Sequence, residues 1–165
     1  MGSATVVLWN CAGFRNSADS TPAKFTFLDT QFPKARFEIA ALVETHHKDS
    51  QDFSADLGHY FQTHHILDSP VKNETHSGII VLVCKDFDII GHSEPLPGRL
   101  FNIKLRKNDK LLNLSIFYGP QWGKMKKTDI ETTIALFEPI HQSHEDSIII
   151  GDFIFVDFDI DKGKK

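Results

Sequence analysis

Short apolar runs separated by polar turns dominate the chain, and their length predicts strands more often than helices. Residues 59–67 alternate loosely and predict a strand. Residues 87–92 predict another, pairing with the preceding strand across Lys85-Asp86. Four further runs are rich in β-branched and other apolar residues and predict buried strands at residues 4–9, 37–43, 78–84 and 147–150.

The turn signals between these runs predict one hairpin and two helices. Residues 100–105 and 111–117 flank Lys107-Asn108-Asp109-Lys110, where Asn and Asp tolerate the backbone of a tight turn. Pro22 opens a predicted helix over residues 23–31, and the capping box Thr128-Asp129-Ile130-Glu131 opens another that reaches residue 141. Strands in series with few helices between them predict an α/β fold of mixed, largely antiparallel sheets with outer helices.

Composition narrows the class of protein. The chain has 165 residues, of which 41% are hydrophobic and 24% charged, as expected for one globular domain. Its formal net charge of −4 argues against a general phosphate-binding surface but not against an enzyme that recruits cations to carboxylates. Two cysteines form no disulfide framework, so a reducing nuclear or cytoplasmic setting is expected. No apolar run approaches the length of a membrane span, and no membrane partner is expected.

Four polar residues stand at the ends of strand-like runs: Asn10, Glu44, Tyr118 and Asp152. Glu44 follows a fully apolar run, and Asp152 follows Gly151, which allows backbone and ligand to approach closely. Their carboxylates would supply the hard oxygen ligands that Mg²⁺ or Mn²⁺ prefers. Each residue also has a structural reading: an exposed strand-end carboxylate for Glu44 and Asp152, a turn residue for Asn10, and an edge-packed aromatic for Tyr118.

The nine histidines give a weaker indication of a functional site than these four residues. His46-His47 and His64-His65 are adjacent pairs, whose side chains point to opposite faces of a strand, and zinc sites usually show other spacings. His46 lies two residues after Glu44, so it could face the same side and touch substrate.

Five short motifs occur in an order that resembles the endonuclease/exonuclease/phosphatase superfamily, also called DNase-I-like. They are Trp9-Asn10-Cys11-Ala12-Gly13, Ala41-Leu42-Val43-Glu44-Thr45-His46, Ser77-Gly78-Ile79-Ile80-Val81, Phe117-Tyr118-Gly119-Pro120 and Ile150-Gly151-Asp152-Phe153. Within the superfamily the chain is most similar to the endonuclease domains of non-LTR retrotransposons, which are related to apurinic/apyrimidinic endonucleases.

The resemblance implies a four-layered α/β sandwich of two sheets with helices outside, and Mg²⁺-dependent hydrolysis of DNA phosphodiesters. It implies that Glu44 holds the metal, that Asn10 assists metal or phosphate, and that Tyr118 hydrogen-bonds the scissile phosphate. Asp152 would orient or activate the attacking water. Arg99 matches a Gly-Arg step of the family and receives no catalytic role. A reverse transcriptase domain in the parent polyprotein is the implied partner beside DNA.

Two departures from the family pattern predict impaired activity. The family continues Gly-Asp-Phe with Asn, where this chain has Ile154, which cannot donate a hydrogen bond. The family also ends in a Ser-Asp-His element, and no His follows Asp152 here. We therefore expect one domain over residues 1–165 that is incomplete at its C-terminus, lacking its last strands. The alternatives are a degenerate, non-catalytic remnant and a superfamily phosphatase acting on another phosphoester, such as a phosphoinositide or a nucleotide.

Overall fold

The computed structural model describes residues 4–13, 30, 36–47, 57–58, 60–70, 77–119, 131, 135–137 and 147–153. The predicted helix over residues 23–31 and the predicted helix over residues 128–141 lie largely outside this part of the chain, as does Ile154. The described residues form two four-stranded sheets that pack face to face.

The first sheet has the strand order β1-β2-β4-β3. Its strands are β1 (Val6–Asn10), β2 (Ile39–Val43), β3 (His64–Ser69) and β4 (Ile79–Cys84), and the short helix α1 (Tyr60–Thr63) precedes β3. β1 runs parallel to β2, and the other two pairs are antiparallel. The central strands β2 and β4 are almost entirely buried, as their continuous apolar sequences predict.

The second sheet has the strand order β5-β6-β7-β8. Its strands are β5 (Asp88–Leu96), β6 (Leu100–Lys107), β7 (Lys110–Tyr118) and β8 (Ser147–Asp152). β6 and β7 form the predicted hairpin, in which Asn108 and Asp109 have φ angles of 49° and 60°. A two-residue turn with both central residues in this region matches the twist of the strands that it joins.

The core lies between the sheets and follows the period of two along each strand. Ile39, Ala41 and Val43 of β2 face Leu114 and Ile116 of β7 across this layer. The alternate residues of the first sheet, including Leu42 and Leu82, pack on its outer face with Leu57 and Tyr60. The prediction of two mostly antiparallel sheets is confirmed.

Two local predictions were wrong in part. The strand predicted at residues 59–67 begins only at His64, because residues 60–63 form a helical turn. In that turn Tyr60 packs its ring 5.9 Å from that of Phe37, and Tyr60 N donates to Leu57 O. The strand at 88–96 does not pair with β4, because both edges of β4 are already occupied by β2 and β3. It pairs with β6 in the other sheet instead.

Cys11 is buried and Cys84 partly buried, and both are free thiols. Within the described ranges, no helix is long and apolar enough to cross a membrane.

Candidate active site

The inward-facing rows of three strands each end in a polar residue at the same end of the sandwich. Along β1 the inward residues are Val6, Leu8 and then Asn10, and along β7 they are Leu114, Ile116 and then Tyr118. The same alternation carries β8 from Ile148 and Ile150 to Asp152. The apolar layer therefore gives way to a polar cluster where these strands stop.

Asn10 and Asp152 meet directly across the gap between the sheets. Asn10 Nδ2 donates to Asp152 Oδ2 at 2.8 Å, although the residues are 142 positions apart in the chain. Asn10 Oδ1 accepts from the backbone N–H of Ala12 at 2.8 Å, which fixes the orientation of the amide. The backbone holds Asp152 from the other side, because Gly119 N donates to Asp152 O at 2.9 Å. Asn10 therefore acts as a fixed neutral donor to the Asp152 carboxylate.

Glu44 follows β2 directly and turns into the same cluster. Its φ angle is 56°, in the left-handed region that few side chains other than Gly adopt. The turn is held by Gly13 N, which donates to Glu44 O at 2.8 Å, and by His46 N, which donates to Ser77 O at 2.8 Å. His46 Nε2 lies 3.4 Å from Glu44 Oε1, and the side chain of His46 is only 6% exposed. His46 therefore contacts Glu44 and presents little surface to a substrate.

Tyr118 lies close to the carboxylates of Glu44 and Asp152. Its side chain is buried, and its hydroxyl is hydrogen-bonded to Glu44. Burial raises the pKa of Tyr118 well above its ordinary value, and the nearby negative charges of Glu44 and Asp152 raise it further, against a smaller opposing effect of Arg99. The hydroxyl therefore remains protonated at neutral pH and serves as a hydrogen-bond donor.

Arg99 belongs to the same cluster, although no role was predicted for it. Its guanidinium carbon lies 5.4 Å from the centroid of the Tyr118 ring, a cation–π distance. The turn that carries it is set by Gly98 at φ 73°, and Tyr118 N donates to Arg99 O at 2.8 Å. The Gly-Arg step was visible in the sequence, but its contact with Tyr118 depends on the antiparallel pairing of β6 with β7.

The donor set fits a divalent cation of the Mg²⁺ class. The part of the chain that the structure describes contains no group of three or more His, Cys, Asp and Glu side chains that could hold a metal. Mg²⁺ in enzymes is commonly bound by one or two carboxylates, while water and substrate phosphate complete its shell. Glu44, with 21% of its side chain exposed, and Asp152 provide two such carboxylates at one sandwich end.

No protein-family model and no curated protein sequence matches the chain. Solved structures do match. TDP2 of D. rerio, solved with a single strand DNA product, superposes with a TM-score of 0.67 at 11% identity, over 90% of this chain and 58% of that one. The AP endonuclease LMAP of Leishmania major gives a TM-score of 0.61 at 17% identity, over 90% and 54%.

The fold is DNase-I-like. A 3'-5' exonuclease of Neisseria meningitidis shares it as well, with a TM-score of 0.58 at 16% identity, over 89% of this chain and 57% of that chain. The predicted two-sheet, DNase-I-like architecture is thus confirmed. The chain spans about half of the length of the solved structures that it matches, between 46% and 58% for the first three.

Proposed function

We infer that this DNase-I-like domain hydrolyses DNA phosphodiesters with the help of Mg²⁺ or Mn²⁺, as a retrotransposon-type endonuclease domain. The observation that carries the proposal is the meeting of polar strand ends at one end of the sandwich. Tyr118 pairs with Asp152 in register, Asn10 donates to Asp152, and Glu44 lies beside Tyr118. Two carboxylates beside a protonated hydroxyl supply a place for a cation and a donor for a phosphate oxygen. The proposed partner is a reverse transcriptase domain of a parent polyprotein.

The roles of the side chains follow from their contacts. Asp152, held by the Asn10 amide, orients the attacking water and accepts its proton as the new bond to phosphorus forms. Tyr118 has one donor proton, so when Glu44 binds the cation the hydroxyl turns its hydrogen bond from Glu44 to a phosphate oxygen. Arg99 over the Tyr118 ring restricts the plane of that ring. The bound cation, held by Glu44 and Asp152, would neutralise charge that develops on the phosphate and on the departing oxygen.

DNA is the preferred substrate class because the matched structures include TDP2 solved with a single strand DNA product, an AP endonuclease and an exonuclease. Those names describe the matched proteins, and they support DNA over a phosphoinositide or a nucleotide for this chain. The net charge of −4 does not contradict this choice, because the polar cluster itself is acidic and would recruit its substrate through a cation.

We propose that the activity is weak, because Ile154 stands where the resemblance places an Asn donor. Loss of one preorganised donor typically lowers the rate by about 10²–10³-fold. Replacing Ile154 by Asn restores a donor at that position, so the same factor is the expected gain for Ile154→Asn.

The test is nicking of supercoiled plasmid in Mg²⁺ by the unmodified chain, Ile154→Asn, Glu44→Ala and Glu38→Ala. Glu38→Ala is the matched control, because it removes a carboxylate of the same sheet at the opposite end. We expect slow nicking that rises in Ile154→Asn, disappears in Glu44→Ala and persists in Glu38→Ala. Robust nicking by the unmodified chain would contradict the impairment, and an inactive Ile154→Asn would favour a non-catalytic remnant.

A further inference from the structure

The turn that carries Glu44 is strained at two residues. Glu44 has a φ of 56° and His46 a φ of 57°, so two residues with side chains flank Thr45 in the left-handed region. Such conformations persist only where the surrounding structure fixes them, and they are concentrated at functional sites. The contacts of Thr45 therefore bear on how Glu44 is held.

A buried polar chain lies directly behind this turn. The hydroxyl of Thr45 lies 2.6 Å from His47 Nδ1, and Thr45 and His47 are 0% and 1% exposed. His47 Nε2 in turn lies 3.4 Å from a carboxylate oxygen of Asp68, an ion-pair distance without hydrogen-bond geometry, and the side chain of Asp68 is half exposed at the end of β3. The row of polar side chains thus runs from the strained turn, through the interior, to an acidic group at the surface.

The backbone around Thr45 leaves this row of polar side chains no room to relax. Thr45 N donates to Gly78 O at 3.2 Å, and a Cβ at Gly78 would lie 2.5 Å from Thr45 Oγ1. Gly78 N then donates to Gly98 O at 2.8 Å, in the turn that precedes Arg99. The contacts of Thr45 therefore connect the turn of Glu44 in the first sheet to the turn of Arg99 in the second.

We propose that Thr45, His47 and Asp68 form a positioning chain that holds the strained turn so that the Glu44 carboxylate reaches Tyr118 and the cation. The inference rests on the proposed function, because it assigns Glu44 the task of binding that cation. Thr45 and His47 touch neither substrate nor cation in this scheme and act through Glu44.

The experiment measures Mn²⁺ affinity by titration calorimetry, with the thermal midpoint of each variant measured without metal. Thr45→Val removes the hydroxyl and keeps the β-branched shape, Thr45→Ser keeps the hydroxyl, and Ser115→Ala removes a buried hydroxyl from β7 as a control. We expect Thr45→Val to bind Mn²⁺ about 10-fold more weakly, in the range typical of residues that orient metal ligands. Thr45→Ser and Ser115→Ala should bind like the unmodified chain.

The outcomes separate the two proposals. A Thr45→Val variant that loses thermal stability but binds Mn²⁺ normally shows a purely structural role and overturns the inference. If Thr45→Val does not fold, Asp68→Ala decides instead, because its half-exposed position tolerates truncation. We expect Asp68→Ala to bind Mn²⁺ more weakly than the unmodified chain, and unchanged binding overturns the inference. If Ile154→Asn cleaves no DNA while Thr45→Val loses Mn²⁺ affinity, the proposed function alone is refuted. Failure of the unmodified chain to bind Mn²⁺ refutes both.

Discussion

The carboxylates at the two ends of the sandwich have different partners. At the end away from the candidate site, Glu38 pairs with Lys107, and the Lys107 ammonium lies 4.8 Å from the centroid of the Phe87 ring. At the candidate site, Glu44 is instead contacted by the Tyr118 hydroxyl and the His46 imidazole, and Asp152 is contacted by the Asn10 amide. Paired charges stabilise a fold, whereas carboxylates held by neutral donors keep their negative charge for a cation.

A cavity lies at the end of the sandwich away from the candidate site. A cavity of about 560 Å³ opens beside the Glu38–Lys107 pair, lined also by Leu111, Leu112 and Ile148. Glu38 and Lys107 are paired with each other there, whereas Lys110, which also lines the cavity, is not part of that pair. The candidate site is therefore defined by the chemistry of its side chains and not by cavity volume.

The largest effect on stability is expected at Gly151, which closes β8 onto β7 beside the candidate site. A Cβ there would overlap the backbone carbonyl oxygen of Phe117, so Gly151→Ala must push the strands apart and should destabilise the fold by about 2–3 kcal/mol. Gly91 in β5 is the matched control, because a Cβ at that position meets no atom within 4 Å. Urea unfolding of both variants tests this, and equal stability of the two would contradict the close approach of β8.

The nicking rates of Tyr118→Phe and of a variant at the other end of the sandwich compare the two ends by catalysis. Tyr118→Phe removes the donor at the candidate site and keeps the buried ring, and we expect nicking to fall by about 100-fold. Glu38→Gln at the other end should change nicking less than about 2-fold, because its ion pair is partly exposed. Measured in the Ile154→Asn background, equal losses in the two variants would contradict the assignment of function to one end.

The ionisation of Tyr118 gives a readout that needs no substrate. Its raised pKa means that its contribution to stability is fully present below pH 10.0, the ordinary tyrosine value, and is lost as the pH rises through the folded-state pKa. The tyrosinate absorbance of the unmodified chain minus that of Tyr118→Phe should therefore appear only above pH 10. Glu44→Gln should shift that titration downward, though not to the ordinary value, since burial is the larger cause.

The smallest effect is expected at the Glu38–Lys107 pair. The hydrogen bond from Lys107 holds the pKa of the Glu38 carboxyl below its usual 4.5, so the pair stabilises the fold above that pH and loses its effect as the pH falls through the lowered pKa. Glu38→Gln should lower the Tm at pH 7 by less than about 3 °C. Thermal scans at pH 7 and pH 3 should show that the difference shrinks in acid, and a difference that grows would contradict the pairing.

The sequence predicted the strands and the positions of the polar residues because both follow local rules. β-Branched apolar runs mark β1, β2 and β4, and the period of two aligns Asn10, Tyr118 and Asp152 with the core-facing rows. Their meeting at one end required only that the strands carrying them end there together.

Contacts that depend on tertiary pairing could not be predicted from local sequence patterns. The placement of β5 in the second sheet follows from the occupied edges of β4, which no local pattern reveals. The left-handed backbone of Glu44 and His46 is imposed by hydrogen bonds from Gly13 and to Ser77, two segments distant in sequence. The contact between Arg99 and Tyr118 likewise requires the register of β6 against β7.

Paramagnetic broadening of backbone amide NMR signals by Mn²⁺ tests the central claim most directly, because it reports where the ion binds. The amides of Gly13, Gly119 and Asp152 should broaden first, while those of Asn108 and Lys110 in the hairpin turn at the opposite end stay sharp. The broadening should disappear in a Glu44→Gln, Asp152→Asn double variant. Broadening centred on the hairpin turn, or unchanged in the double variant, would contradict the account.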